Sequence, residues 1–140
     1  MKKLVLISFL FIATNSFAGE LHNFSEIKSA VTTGKSIHIA TDFVKCSTSK
    51  KEALLSAHVG VFTPNEIQVI DTHIATSFMH FTLNNPSFPD VPVYEFVRYT
   101  ITDDNNLNLS YQALDARNYA PLTKKASFNC KIDMGVKIYD

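Results

Sequence analysis

The sequence predicts an α+β domain: one N-terminal helix, then a curved, mostly antiparallel sheet of about seven strands that can close toward a barrel. Three observations predict it. A capped stretch with helical spacing runs from Asn23 to Gly34. From Ser36 onward, apolar residues recur at every second position. The spacers between apolar runs hold Pro, Asn and Asp, and none carries the crossover helix that parallel pairing needs.

Taken in order, the helix begins at Asn23, which can cap backbone amides, with Glu26 completing an approximate capping box. Phe24, Ile27, Ala30 and Val31 form one apolar stripe, and Gly34 stops a helix of about ten residues. Ile37, Ile39 and Phe43 alternate with His38, Ala40 and Asp42 as a strand entering Cys46. Ser47 to Leu55 reads as a loop with room for a short helical turn. Val59, Val61 and Phe62 lead into Thr63-Pro64-Asn65-Glu66, a tight reversal by composition, after which Ile67, Val69 and Ile70 resume the β pattern. Ile74 to Leu83 continues it.

Asn84 to Pro92 is a break, since Pro86, Pro89 and Pro92 cannot donate to a ladder. Tyr94 to Thr102 and Leu107 to Ala113 then flank a hairpin turn at Asp103-Asp104-Asn105-Asn106. Phe128, Cys130, Ile132 and Met134 share one face of a last strand, and Val136 and Ile138 keep its parity through Gly135. Such a sheet can close into a barrel, since long apolar strands without charged edges otherwise invite aggregation.

The N-terminus reads as an export signal. Lys2 and Lys3 precede an apolar run from Leu4 to Ala13, and Ser16-Phe17-Ala18 offers a cleavage site after Ala18. That run, roughly 10 residues, is far short of the ~20 needed to cross a bilayer. Glu20 stands where a lipoprotein would need Cys. Residues 19–140 are thus expected to form one mature domain outside the cytoplasm, with no stable membrane insertion after cleavage. Loss of Lys2 and Lys3 tips a balance of 13 basic and 13 acidic residues only slightly acidic. Such a domain has no electrostatic case for nucleic acid or anionic lipid. Lys50-Lys51, Asp103-Asp104 and Lys124-Lys125 read as solvated turns.

Cys46 and Cys130 allow a single intramolecular pairing, and an exported chain favours the disulfide over a free thiol. Closing so long a loop would remove about 4–5 kcal/mol of unfolded-chain entropy.

No catalytic, metal or cofactor motif emerges. His73 and His80 fall on opposite faces of one strand, while His38 and Asp42 share a face at about 13 Å. The five histidines, His22 and His58 among them, read as surface or strand-rim residues. Gly-x-Ser-x-Gly is absent, the isolated Gly60 and Gly135 build no phosphate loop, and Asn108 and Leu114 break a calcium-loop pattern beginning at Asp103. Glu95 and Asp115 are a carboxylate pair that strands can bring together. Phe78, Phe81, Phe88, Tyr94, Phe96, Tyr99, Tyr111, Tyr119 and Phe128 crowd the second half, to fill a core or to line an apolar cavity.

The order of features resembles a known family. Leu21-His22-Asn23-Phe24-Ser25-Glu26-Ile27, Gly34-Lys35-Ser36-Ile37 and Asp42-Phe43-Val44-Lys45-Cys46 come first. Tyr94-Glu95-Phe96-Val97-Arg98-Tyr99, Leu114-Asp115 and Phe128-Asn129-Cys130 follow. With the signal and the length, these resemble the VirK family of small exported bacterial proteins. The resemblance implies an association with virulence regulons, a Gram-negative envelope or secretion beyond it, and a shared structural role for the two cysteines. It offers no catalytic residues. The expectation is a non-enzymatic protein that binds an unknown protein partner in the envelope or the host. The alternative is a carrier of a small apolar ligand inside an aromatic-lined barrel.

Overall fold

The computed structural model of the chain describes residues 19–48 and 59–140. The expected leader at 1–18, Lys50-Lys51, His58 and the loop from residue 49 to Leu55 lie outside those residues.

Helix α1 (Phe24–Thr32) follows the two-residue strand β1 (Glu20–Leu21). Its N-terminus is closed by a reciprocal network. The Glu26 amide donates to Asn23 Oδ1 at 3.0 Å, Asn23 Nδ2 donates to Glu26 Oε1 at 2.7 Å, and the His22 amide donates to Glu26 Oε2 at 2.7 Å. Gly34 ends the helix at φ 84°, with the Gly34 and Lys35 amides bonded back to the Val31 and Ala30 carbonyls. Phe24, Ile27 and Ala30 are buried, as the stripe predicts. Replacing Asn23 by alanine is expected to cost about 1 kcal/mol of unfolding free energy, and by glycine only a few tenths. Urea denaturation of the two variants checks this.

The remaining strands are β2 (His38–Asp42), β3 (Ser47–Thr48), β4 (Val59–Phe62), β5 (Gln68–Val69), β6 (His73–Thr82), β7 (Val93–Thr102), β8 (Asn106–Asp115), β9 (Ala126–Lys131) and β10 (Val136–Tyr139). All pair antiparallel, in two sheets ordered β1-β10-β2-β4 and β3-β9-β8-β7-β6-β5. The α+β class and the antiparallel sheet are therefore as expected. The β7–β8 turn carries Asn105 at φ 62°, and Asp104 accepts from Thr102 Oγ1 and Asn106 Nδ2. Those bonds hold the Asp104 carboxyl below the usual carboxylate range.

Five expectations need correction. The sheets do not close into a barrel; they meet face to face, with the Phe62 ring of β4 stacked on Phe78 at 4.4 Å and Tyr99 at 5.3 Å. Phe43 belongs to a 3-10 turn (Phe43–Lys45) rather than to the strand, and Ser47–Thr48 leaves the expected loop to pair with β9. Thr63 to Glu66 joins β4 to β5 in the other sheet, so it carries the chain between layers and closes no hairpin.

The last expected strand is two strands in different sheets. Asp133 adopts φ 67°, and Met134 is 65% exposed between buried Ile132 and Val136. A Cβ on Gly135 would lie 3.1 Å from Cys46 Sγ and 3.3 Å from the Lys45 carbonyl, so a larger residue there would require these neighbours to give by a few tenths of an ångström.

One hydrophobic cluster serves both sheets and the helix. Ile27 of α1 joins Ile74, Ile101 and Leu107 from one sheet and Ile39, Val136 and Ile138 from the other. Cys46 and Cys130 form the expected disulfide, with Cα atoms 4.4 Å apart, and Cys130 is fully buried.

Candidate functional site

Alternation decides what the large sheet shows its partner. Even positions of β6 and odd positions of β7 and β8 point inward, because Phe78 pairs with Val97 and Val97 with Tyr111. At one end of this face the core is complete. Toward the Asn84–Pro92 loop it opens into a cleft of about 290 Å³. Val97, Tyr99, Leu109 and Ala126 lie on its sheet side, and Phe43 and Val59–Val61 face them from other elements.

The polar end is built by the proline-rich loop. Asn85 is only 4% exposed and folds onto the sheet. Its Oδ1 accepts from the Ser87 amide at 2.9 Å, and its Nδ2 donates to Glu95 Oε1 and to Tyr111 Oη, both at 2.8 Å. Tyr111 Oη in turn donates to Glu95 Oε1 at 3.3 Å. Burial, and then the Glu95 charge, push the Tyr111 phenol up to about 12; burial alone does the same for Tyr99. Both phenols therefore stay protonated through the physiological range. Glu95 Oε2 keeps spare acceptor capacity, its partner being the exposed His80 Nδ1 at 3.4 Å. The cleft thus joins an apolar, aromatic body to one anchored carboxylate that faces water on one side. Such a site can accept hydrogen bonds from an amine or hydroxyl whose attached apolar part lies on the rings.

The sequence-derived candidates divide. Glu95 sits in the cleft, but Asp115 stands opposite Val93, two residues from the Glu95–Ala113 pair, and is engaged by Arg117 at 2.8 Å. That contact holds the Asp115 carboxyl down at about 2. His38 Nδ1 meets Thr63 Oγ1 at 2.6 Å, whereas Asp42 pairs with Lys45, so His38 and Asp42 have separate partners. The aromatic residues split as well. Tyr99 and Phe128 are buried; Phe78 and Tyr111 edge the cleft; on the opposite, outer face Tyr94 stacks on Tyr119 and meets Phe81 edge-on.

Sequence reasoning missed Asn85, which no spacing ties to Glu95 and Tyr111. It also missed the approach of Glu20, His22 and Asp133, whose ligand-type atoms lie within 4.8 Å of one another at the surface. His22 bonds Asp133 at 3.1 Å, which raises the His22 pKa, and Glu20 is paired with Lys137 at 3.0 Å. That ammonium supplies the positive charge the group calls for. No helix among the described residues is long and apolar enough to cross a membrane.

A family profile and a solved structure point to the same family. Its profile, described as VirK protein, matches residues 20–119. The uncharacterized protein y4wH of Sinorhizobium fredii is 24% identical over 145 residues, covering 99% of this chain and 98% of that one. The crystal structure of a VirK family protein from Legionella pneumophila aligns with a TM-score of 0.79 at 27% identity, over 86% of this chain and 98% of that one. The profile match runs from β1 past the end of β8, taking in Cys46, Asn85, Glu95 and Tyr111, and the chain belongs to the VirK family.

Proposed function

We propose that this protein is exported and acts by binding rather than by catalysis, with the cleft receiving a small ligand that carries an apolar body and a hydrogen-bond-donating head, an amine foremost. The single supporting observation is the cleft itself, with the Glu95 carboxylate at its polar end and aromatic side chains along it. Its volume of about 290 Å³ stands at the small end of ligand sites, which suits a short chain or a single ring. The leader pattern of Lys2, Lys3 and Ser16-Phe17-Ala18 supports export, and the disulfide suits an oxidising compartment. The carrier reading does not need a barrel, because the two sheets form the pocket between their faces.

Isothermal titration calorimetry of the mature, disulfide-bonded protein with a short alkylamine tests the reading. A saturable heat of binding is expected. Ala126→Leu, which fills the sheet side of the cleft, should weaken binding by tenfold or more, an effect of about 1.4 kcal/mol. Glu95→Gln should remove the preference for the amine over the matching alcohol. An unsaturable response from the wild-type protein would sink the proposal.

A further inference from the structure

Among the described residues, two charged side chains line the cleft, and their signs are opposite: Glu95 and Lys124. The Lys124-Lys125 pair, expected as a solvated turn, is thereby divided, since Lys124 lines the cleft and Lys125 does not. The two charges do not pair with each other, and neither has another Lys, Arg, Asp or Glu partner among the described residues. Glu95 is held at Oε1 by the uncharged Asn85 amide and Tyr111 hydroxyl.

The backbone sets their spacing. Glu95 stands opposite Ala113 across β7 and β8. On the far side of β8 the Ala113 carbonyl accepts from the Leu122 amide at 2.9 Å, and its amide donates to Thr123 Oγ1 at 2.9 Å. Gln112 Nε2 also donates to the Thr123 carbonyl at 2.9 Å. The segment leading into Lys124 therefore runs beside β8, two strand spacings or about 10 Å from Glu95. Tyr111, on the strand between them, edges the cleft.

A plain amine would satisfy Glu95 and leave Lys124 without a counter-charge. We infer, resting on the cleft being a ligand site, that its ligand is a free α-amino acid with an apolar side chain. The ammonium donates to Glu95 and the carboxylate accepts from Lys124, both as charge-assisted hydrogen bonds. The two head groups and their two hydrogen bonds span roughly 8 Å, a distance that the flexible lysine stem can meet. The side chain lies along Phe78, Val97 and Leu109. A cleft of about 290 Å³ has room for one such molecule.

The test is calorimetric titration of the mature, disulfide-bonded protein with L-leucine and L-phenylalanine. Each is compared with the amine left when its carboxylate is removed, 3-methylbutylamine or 2-phenylethylamine. At least one amino acid is expected to bind roughly tenfold more tightly than its amine. Lys124→Gln should bring that ratio close to one, and Lys124→Arg should keep it. Lys125→Gln, which alters a lysine outside the cleft, should leave the ratio as in wild type. Amines that bind saturably while both amino acids bind no more tightly would overturn the inference and leave the cleft a site for amines. A ratio that survives Lys124→Gln, in a protein with the wild-type circular dichroism spectrum, would overturn it too. Binding of neither class would remove the amino acid and the amine together.

Discussion

Breaking the Cys46–Cys130 bridge, by reduction or by Cys46→Ala/Cys130→Ala, is expected to lower the unfolding free energy by about 4 kcal/mol. The bridge closes a loop of 84 residues, so it restrains most of the mature unfolded chain. It also ties the turn leaving β2 in one sheet to β9 in the other, at a point where Cys130 is fully buried opposite Leu107. A loss of that size rivals the whole stability of many domains this long. Thermal unfolding should fall by roughly 15 °C, and the urea midpoint should fall with it. The double variant and the reduced wild type should agree within about 1 kcal/mol if restraint of the unfolded chain is the main term. A loss under about 1 kcal/mol in either would mean that the sheets hold together without the staple.

How far the fold was legible depended on how local its causes are. The capping network of Asn23 and Glu26, the Gly34 stop and the Asp103–Asn106 turn are set by neighbours in the chain, and they stand where the residues predict them. The division between β9 and β10 is hidden by parity. Ile132 and Val136 are both buried, so alternation continues across a turn that changes sheets, and only Met134 breaks it. The cause there is a long-range packing demand, the Cys46 sulfur beside Gly135. The cleft behaves likewise. Glu95 was visible as a carboxylate on a strand, but Asn85 acquires its role only when the proline-rich loop folds back across β7 and β8. Composition also could not separate the aromatic residues, because Tyr99 and Tyr94 differ only in which face of β7 they occupy.

The second large effect concerns the helix. Ile27→Ala is expected to cost about 3 kcal/mol, since the side chain is fully buried and the cavity left behind can collapse only in part. A nine-residue helix has little stability of its own in water, so its persistence depends on this docking. The Phe24 amide donates to Asn105 Oδ1 at 2.7 Å, which seats the first turn against the β7–β8 turn, near Leu107 at the start of β8. Ile27→Ala and Leu107→Ala should therefore couple, the double variant departing from additivity by about 1 kcal/mol. Ile27→Val, which removes one methyl group, should cost only about 1 kcal/mol. Hydrogen exchange offers a sharper reading than the total. In Ile27→Ala the amides of residues 28–32 should exchange through local opening, while those of β7 and β8 still follow global unfolding. Helix amides that keep pace with the strands would mean that the Asn23 cap and the Asn105 contact suffice to hold α1, and that Ile27 contributes bulk to the core without deciding where the helix lies.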